Sequence, residues 1–356
     1  MKSLIVPMCG KSSRFPGMRP KWMLTHPSTG NIMCVESISG IDISFFDQIY
    51  FVFLKEHEDL YGASNAIEKS IKNTKELCKK SKFVNFIILD SPTKSQSETV
   101  HQAIIKANIN GFIYIKDSDG YFRSNIESTE NQVTYFDLND IDEINARAKS
   151  YIDLDSNNRI TNMVEKKVIS STFCVGGYGF KSAKDFCVYY KKIEHLPGEC
   201  YISNVIFEMM LDGKIFIGNE SFDFLDWGTI KSWNDYKSKF YTIFSDLDGT
   251  LISNTSHLIP PFIGEGSPLV NNIKSLRKIK SNGGFVIITT SRPEEYRDIT
   301  EKEINLHGIP CDILIMGLPH SQRLIINDFS KSNPHPSCSS INIQRNSDNI
   351  DQYLKI

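Results

Sequence analysis

The sequence has 356 residues and a formal net charge of −2, with 40% hydrophobic and 23% charged residues. This length predicts about two domains with packed globular cores. The near-neutral charge, the lack of a signal-peptide pattern and the lack of a transmembrane-length apolar run predict no nucleic-acid or membrane partner. The eight cysteines are scattered, which predicts reduced thiols in a cytoplasmic protein.

The first 120 residues alternate short apolar runs with amphipathic segments. The predicted strands are 4–8, 48–54, 83–89 and 111–116, and the predicted helices are 31–41 and 63–80. This alternation predicts a mostly parallel sheet covered by helices. In such a sheet, ligands bind at the carboxyl ends of the strands.

The loop after the first strand has the composition of a phosphate-binding loop. The residues concerned are Gly10, Lys11, Ser12, Ser13, Arg14 and Lys21. A glycine lets backbone N–H groups approach a phosphate closely, and the serines add hydroxyl donors. Arg14 and Lys21 carry the positive charge that a triphosphate requires. An ordinary strand-to-helix turn with surface charge is the alternative interpretation.

Two carboxylates, Asp117 and Asp119, follow the predicted strand at 111–116. Mg²⁺ takes one or two carboxylates together with phosphate oxygens, so this strand end suits a magnesium site. A polar turn is the alternative, since Asp-Gly is common in turns.

Five further motifs follow in order, at 95–100, 164–166, 176–180, 199–204 and 226–229. Together with Gly10, Ser12, Arg14, Pro20 and Lys21, they resemble the motifs of the sugar-phosphate nucleotidyltransferase family, in the same order. The resemblance covers about residues 1–240. It implies transfer of a nucleotidyl group from an NTP to a phosphorylated sugar or alcohol, with release of pyrophosphate.

The resemblance also implies roles for individual residues. Asp119, with Asp117 as the nearby alternative, and Asp226 would hold Mg²⁺, while Arg14 and Lys21 would hold the triphosphate. Nucleotide contacts would come from the opening loop, from Gln96 and from Ser97. The acceptor would be held by Glu165, Lys166, Gly177 and Glu199. Relatives use CTP, dTTP, UTP or GTP, so the base and the acceptor stay open.

The segment 123–144 is polar and acidic, without clear periodicity. We interpret it as an insertion that forms a lid or an oligomer contact, and homo-oligomerisation stays open.

A second domain is predicted from residue 241, where a strand at 241–245 leads into Asp246, Leu247, Asp248, Gly249 and Thr250. This run resembles the first motif of the haloacid dehalogenase superfamily of phosphohydrolases. There the first Asp attacks phosphorus and the second shuttles a proton, which implies these roles for Asp246 and Asp248. Mg²⁺ between the two carboxylates relieves their repulsion.

The remaining motifs of that superfamily follow a helix at 270–280 and strands at 285–289, 313–316 and 324–326. Thr250 and Thr290 would bind the phosphoryl group, and Asp328 resembles the acidic fourth motif. The position of the third-motif lysine reads Leu318, and Arg323 is the nearby cation. An aspartyl-phosphate transition state needs such a charge.

We therefore expect two Rossmann-like three-layer α/β/α domains. Residues 1–240 would form a nucleotidyltransferase domain with a mixed, mostly parallel sheet. Residues 241–356 would form a small haloacid dehalogenase-like phosphatase domain with a minimal cap. One Mg²⁺ is expected in each.

The expected function is a bifunctional enzyme of capsule or surface-polysaccharide precursor synthesis. One alternative is a monofunctional nucleotidyltransferase with a non-catalytic regulatory or oligomerisation domain. Another is a nucleotide-binding protein without transfer activity.

Overall fold

The computed structural model of the chain describes residues 1–10, 18–140, 149–254, 266–328 and 338–354. The chain divides into two compact units, Met1–Trp233 and Asn234–Ile356. All eight cysteines are free thiols. Within the described ranges, every helix is too short or too polar to cross a bilayer.

The described residues of the first unit form eleven strands and eight α-helices, the last helix crossing the boundary between the units. The strands are β1 (Lys2–Pro7), β2 (Gln48–Leu54), β3 (Val84–Leu89), β4 (Phe112–Lys116), β5 (Gly120–Arg123), β6 (Gln132–Asp137), β7 (Ser150–Leu154), β8 (Ile160–Glu165), β9 (Thr172–Phe180), β10 (Ile217–Glu220) and β11 (Asp223–Asp226). The helices are α1 (Met33–Ser37), α2 (Lys55–Tyr61), α3 (Ala63–Asn73), α4 (Lys75–Lys79), α5 (Gln96–Lys106), α6 (Ala183–Ile193), α7 (Ile202–Leu211) and α8 (Ile230–Lys237).

The main sheet of this unit is mixed and has the strand order β10-β6-β9-β4-β1-β2-β3, with the hairpin β7–β8 attached to β9. The strands from β4 through β1 and β2 to β3 are parallel, whereas β9 runs antiparallel to both of its neighbours. A separate two-stranded sheet pairs β5 with β11 in antiparallel fashion. This second sheet matters for the site described below.

Both faces of the main sheet are covered, which gives three layers. Successive residues of β1 point to opposite faces, so Ile5 belongs to one core cluster and Leu4 and Val6 belong to the other. The first cluster includes apolar residues of α5, α6 and α7, and the second includes those of α1 and α3. Double-sided burial explains why the parallel strands read as continuous apolar runs.

Three sequence predictions need correction in this unit. The segment 123–144 is not a simple insertion, because β6 lies inside it and inside the main sheet. A register shift between Thr134 and Tyr135 breaks the alternation of β6, which hides the strand from a periodicity argument. The predicted helix at 63–80 is broken at Thr74, whose backbone is extended. The predicted helix at 31–41 shortens to α1.

The second unit is built on the parallel sheet β12 (Thr242–Asp246), β13 (Phe285–Thr289) and β14 (Ile313–Ile315), in that order. Two helices, α9 (Val270–Ser281) and α10 (Arg297–Leu306), supply Ile273, Leu276 and Ile304 to its core. The predicted strand at 324–326 is wrong. All three residues are exposed, and none of them belongs to a strand of the described sheets. Apolar character alone suggested it.

Gly177 in β9 lies where side chains from two neighbouring strands and from β5 converge. An added Cβ would lie 2.2 Å from the Tyr114 hydroxyl oxygen and 2.7 Å from the Phe122 ring. The Tyr114 hydroxyl is itself 2.6 Å from the Thr134 hydroxyl in the buried core. A glycine is therefore required here by packing.

Gly177→Ala is expected to destabilise the first unit by about 1–3 kcal/mol, the usual range for overpacking a core. All three tryptophans (Trp22, Trp227 and Trp233) lie in this unit, so urea unfolding followed by tryptophan fluorescence reports on it. Adding Tyr114→Phe removes the atom nearest the new methyl group. The double variant should then lose less stability than the sum of the single variants. Wild-type unfolding of Gly177→Ala would contradict this packing account.

Candidate active site

Two acidic residues distant in sequence have neighbouring backbone positions at the end of the small β5–β11 sheet. Asp226, the last residue of β11, is paired with Gly120, the first residue of β5. The Trp227 N–H then donates to the Asp119 carbonyl oxygen at 2.9 Å. Main-chain hydrogen bonds therefore hold Asp119 and Asp226 side by side.

Each of these carboxylates has a lysine partner. Lys21 forms an ion pair with Asp119, and the Lys149 Nζ lies 2.7 Å from an Asp226 carboxylate oxygen. The Lys149 side chain is 15% exposed and that of Asp226 is 26% exposed, so this second pair is largely screened from water. Lys21 was predicted from the sequence, whereas Lys149 was not.

Asp117 lies deeper than Asp119. Its backbone N–H donates to the Gly176 carbonyl at 2.8 Å, and the Gln96 side-chain amide donates to its carboxylate. Gly176 has φ +85°, and a Cβ there would lie 2.5 Å from the Asp117 carboxylate. Burial, followed by the negative charge of Asp119, raises the pKa of Asp117.

A buried lysine closes the loop that carries these acids. The Lys116 ammonium donates to the carbonyl oxygens of Asp117 and Gly120 at 2.9 and 2.7 Å and lies 4.5 Å from the centre of the Phe122 ring. Burial lowers the pKa of Lys116 to about 8, against the opposing effect of the nearby aspartates. Lys116 was not predicted from the sequence, because a lysine at a strand end is ordinarily solvent-exposed.

The predicted acceptor motif lies at the end of the β7–β8 hairpin. Glu165 accepts hydrogen bonds from the hydroxyls of Ser203, at 2.7 Å, and Ser150. Lys166 has φ +56°, and its ammonium contacts the Tyr201 hydroxyl and lies 4.2 Å from the centre of that ring. The hydrogen bond with Tyr201 raises the pKa of Lys166.

The other predicted residues of this unit have varied surroundings. Gly10 is exposed at the end of the segment that follows β1, and Glu199 is exposed. Ser97 is fully buried, and its hydroxyl donates to the Cys200 carbonyl. Lys11, Ser12, Ser13 and Arg14 lie outside the described residues.

The donor set at the β5–β11 end fits a hard divalent cation. In the described part of the chain, three or more His, Cys, Asp or Glu side chains never gather into a metal cage. Mg²⁺ does not need such a cage, because it binds one or two carboxylates together with phosphate oxygens and waters. Asp119 and Asp226 meet that requirement.

The second unit carries its own acidic cluster at the end of β12. Asp246 ends this strand, and the Arg323 guanidinium lies 3.4 Å from its carboxylate. Burial raises the pKa of Asp246, partly offset by the charge of Arg323. The predicted residues Asp328 and Thr250 are exposed and half-buried, respectively, and the Thr250 carbonyl accepts a hydrogen bond from Asn272.

Arg292 holds the second carboxylate, Asp248. Its Nε and Nη2 donate to the two Asp248 oxygens at 3.0 and 2.6 Å, and its Nη1 donates to Glu303 at 2.7 Å. The Thr290 hydroxyl donates to Asp248 at 3.1 Å. Arg292 was not predicted as a site residue, and its only local signal is its position two residues after Thr290.

No family model matches the chain, and no curated protein matches it in sequence. Solved structures do match its fold. A nucleoside-diphosphate-sugar pyrophosphorylase from Vibrio cholerae RC9 has 19% identity and a TM-score of 0.53, over 65% of this chain and 98% of that one. A candidate glucose-1-phosphate thymidylyltransferase from Bacillus anthracis, in complex with a sucrose, has 16% identity and a TM-score of 0.50, over 66% and 93%.

An inositol-1-phosphate CTP transferase from T. maritima has 11% identity and a TM-score of 0.49, over 65% of this chain and 90% of that one. The Vibrio and Bacillus likenesses confirm a mixed α/β fold with a mostly parallel sheet for about two thirds of the chain. The haloacid dehalogenase fold of the second unit stays a prediction.

Arg292→Met is expected to destabilise the second unit by about 3–5 kcal/mol, because it leaves the buried Glu303 without its cation. Arg297→Met is the matched control, since Arg297 pairs with Glu294 and Glu301 at the surface, where water screens such pairs and they add little stability. Urea unfolding followed by circular dichroism should show a lower midpoint urea concentration for Arg292→Met than for the wild type. An equal effect of the two variants would show that the buried pair is not stabilising.

Proposed function

We propose that the first unit transfers a nucleotidyl group from an NTP to a phosphorylated sugar or alcohol and releases pyrophosphate. One observation carries this proposal. The β5–β11 sheet places Asp119 beside Asp226, in a fold shared with solved nucleotidyltransferases. The donors considered are CTP, dTTP, UTP and GTP.

The acceptor phosphate is the nucleophile in this reaction. One of its oxygens bonds to the α-phosphorus, while the bond from that phosphorus to the bridging oxygen breaks and pyrophosphate leaves with the electron pair. The protein's own work is positioning and charge stabilisation, which carry most of the catalysis in phosphoryl-type transfer. Lys21, with Arg14, would hold the triphosphate as negative charge shifts to the leaving group.

Mg²⁺ held by Asp119 and Asp226 would neutralise phosphate charge when bound. Lys21, which pairs with Asp119, has a flexible stem and three donors and can turn towards a phosphate. Asp117, held by Gln96, would support the same loop.

The acceptor would lie against the β7–β8 hairpin. Two serine hydroxyls fix the Glu165 carboxylate, which orients it towards an acceptor hydroxyl or amine. Lys166 would provide charge for the acceptor phosphate, and Gly177 and Glu199 would complete this side. The similar Bacillus structure is a candidate glucose-1-phosphate thymidylyltransferase, and a sugar phosphate is an acceptor of this class.

We propose a phosphatase activity for the second unit. The contact between Arg323 and Asp246 supports it, because a cation beside the nucleophile is what the missing third-motif lysine would supply. Asp246 would attack phosphorus as the ester bond breaks. The leaving alcohol would take a proton from Asp248, which would have to be protonated and released from its two-oxygen pair with Arg292 before this step. Water would then hydrolyse the aspartyl-phosphate, returning a proton to Asp248.

For this second reaction, Thr250 and Thr290 would bind the phosphoryl group, and Mg²⁺ at Asp246, Asp248 and Asp328 would offset its charge. A trimmed bisphosphate would yield the monophosphate acceptor of the first unit, in the cytoplasm, within capsule or surface-polysaccharide precursor synthesis. The competing proposal is a non-catalytic second unit, which Leu318 in the lysine position favours.

Asp226→Asn should lower kcat/KM for pyrophosphate release by about 100-fold or more, because it removes charge where the phosphates react. The measurement uses each NTP with Mg²⁺ and a panel of phosphorylated sugars and alcohols. Asp223→Asn is the matched control. Asp223 lies on the same strand in an exposed ion pair with Arg123, so its activity should stay near wild type. Pyrophosphate release unaffected by Asp226→Asn would remove this acid from the mechanism.

Asp246→Asn should abolish phosphate release from p-nitrophenyl phosphate, because an amide cannot form the aspartyl-phosphate. Asp298→Asn is the matched control at an exposed position on α10 and should retain wild-type release. Equal release by both variants, or none by the wild-type protein, would favour the non-catalytic second unit.

A further inference from the structure

Lys149 begins the β7–β8 hairpin on the acceptor side of the first unit. The strand register pairs Ser150 with Glu165, and the Lys166 N–H donates to the Lys149 carbonyl at 2.9 Å. The backbone of Lys149 therefore lies level with the predicted acceptor motif, directly opposite Lys166.

The side chain of Lys149 leaves the hairpin and crosses to the acidic pair. Its ammonium lies 4.8 Å from the centre of the Phe224 ring and 2.7 Å from the Asp226 carboxylate. Phe224 and Asp226 both belong to β11, the strand that sets Asp226 beside Asp119. One lysine thus joins the acceptor side of the site to its metal and nucleotide side.

We propose that Lys149 binds the phosphate of the acceptor and holds it against the α-phosphorus. This inference rests on the proposed transfer reaction and adds a residue to it. The oxygen that forms the new bond belongs to the phosphate held by Lys149, and pyrophosphate leaves with the electrons of the broken bond. Lys149 takes no proton in this step and acts by position and charge.

The charges of the site require a cation at this point. An acceptor phosphate and a triphosphate together bring several negative charges next to Asp119 and Asp226. Like charges at such short range repel strongly in a partly water-excluded site. A lysine can turn its ammonium from Asp226 to a phosphate without moving its backbone, because its stem is flexible and its three donors rotate freely.

The competing explanation is a purely structural ion pair between Lys149 and Asp226. Such a pair would stabilise the fold but would not respond to an anion. Direct measurement of phosphate binding separates the two explanations and does not depend on turnover.

The experiment titrates inorganic phosphate into the full-length protein at constant ionic strength. The α,β-methylene analogues of CTP, dTTP, UTP and GTP are present together with Mg²⁺, so that triphosphate-binding groups are occupied. The variants are Lys149→Met, which keeps the apolar stem, and Lys149→Arg, which keeps the charge. Lys181→Met is the matched control, because Lys181, directly after β9, forms an exposed ion pair with Glu130.

Lys149→Met should raise the Kd for phosphate by about 10-fold or more, the effect of losing one charge-assisted hydrogen bond. Lys149→Arg should recover most of the affinity, and Lys181→Met should match the wild type. With an active acceptor, Lys149→Met should raise the acceptor KM while leaving the NTP KM unchanged.

Two results would overturn the inference while leaving the transfer reaction in place. One is the absence of any effect of Lys149→Met on phosphate binding, either because the variant keeps the wild-type Kd or because neither protein binds phosphate. The other is normal acceptor KM in Lys149→Met with a raised NTP KM, which would place Lys149 on the nucleotide. Conversely, Lys149-dependent phosphate binding without pyrophosphate release from any NTP and acceptor would remove the transfer reaction and leave an anion site.

Discussion

The candidate site of the first unit depends on one short antiparallel pairing. Asp119 and Asp226 are more than a hundred positions apart in the chain, and the four residue pairs between β5 and β11 bring their backbones together. The Trp227 N–H to Asp119 carbonyl bond extends that pairing past the last strand residue. Main-chain bonds therefore set the backbone spacing of Asp119 and Asp226.

Lysines that come from separate parts of the fold accompany these acids. Lys21 follows the opening loop, Lys116 ends a central strand, and Lys149 starts a hairpin. A cluster of this kind is costly if any one charge is left unpaired in a water-poor place. It is also ready to exchange partners, since phosphate oxygens can take over the hydrogen bonds that carboxylates accept. The same site can thus be stable without substrate and attractive to polyanions.

The sequence predicts the strands well where a whole segment is buried on both faces of the sheet. The run at 48–54 is apolar throughout, because it is a parallel strand covered on both faces, and its predicted bounds coincide with β2. Prediction failed where packing is irregular. β6 carries buried polar residues, including Thr134, and its bulge removes the alternation that marks a strand.

The site residues likewise divide into those with a local sequence signal and those recognised only by their distant partners. Carboxylates at strand ends carry a local signal, so Asp119 and Asp226 can be selected from motif and order. Lys149 carries no such signal and Arg292 only its place after Thr290, because their partners lie 77 and 44 positions away. Pairings of that kind exist only once the chain has folded.

Lys166 has a left-handed backbone conformation, which is energetically unfavourable for a residue with a side chain. A residue with a Cβ at φ +56° is strained relative to glycine, which adopts this region freely. Glycine at this position would relax the turn after β8 but would remove the ammonium that rests on Tyr201. The backbone preference for glycine and the side-chain contact with Tyr201 therefore oppose each other at this position, and libraries screened only for heat resistance would select on the balance of these two contributions and not on any ligand that the ammonium binds.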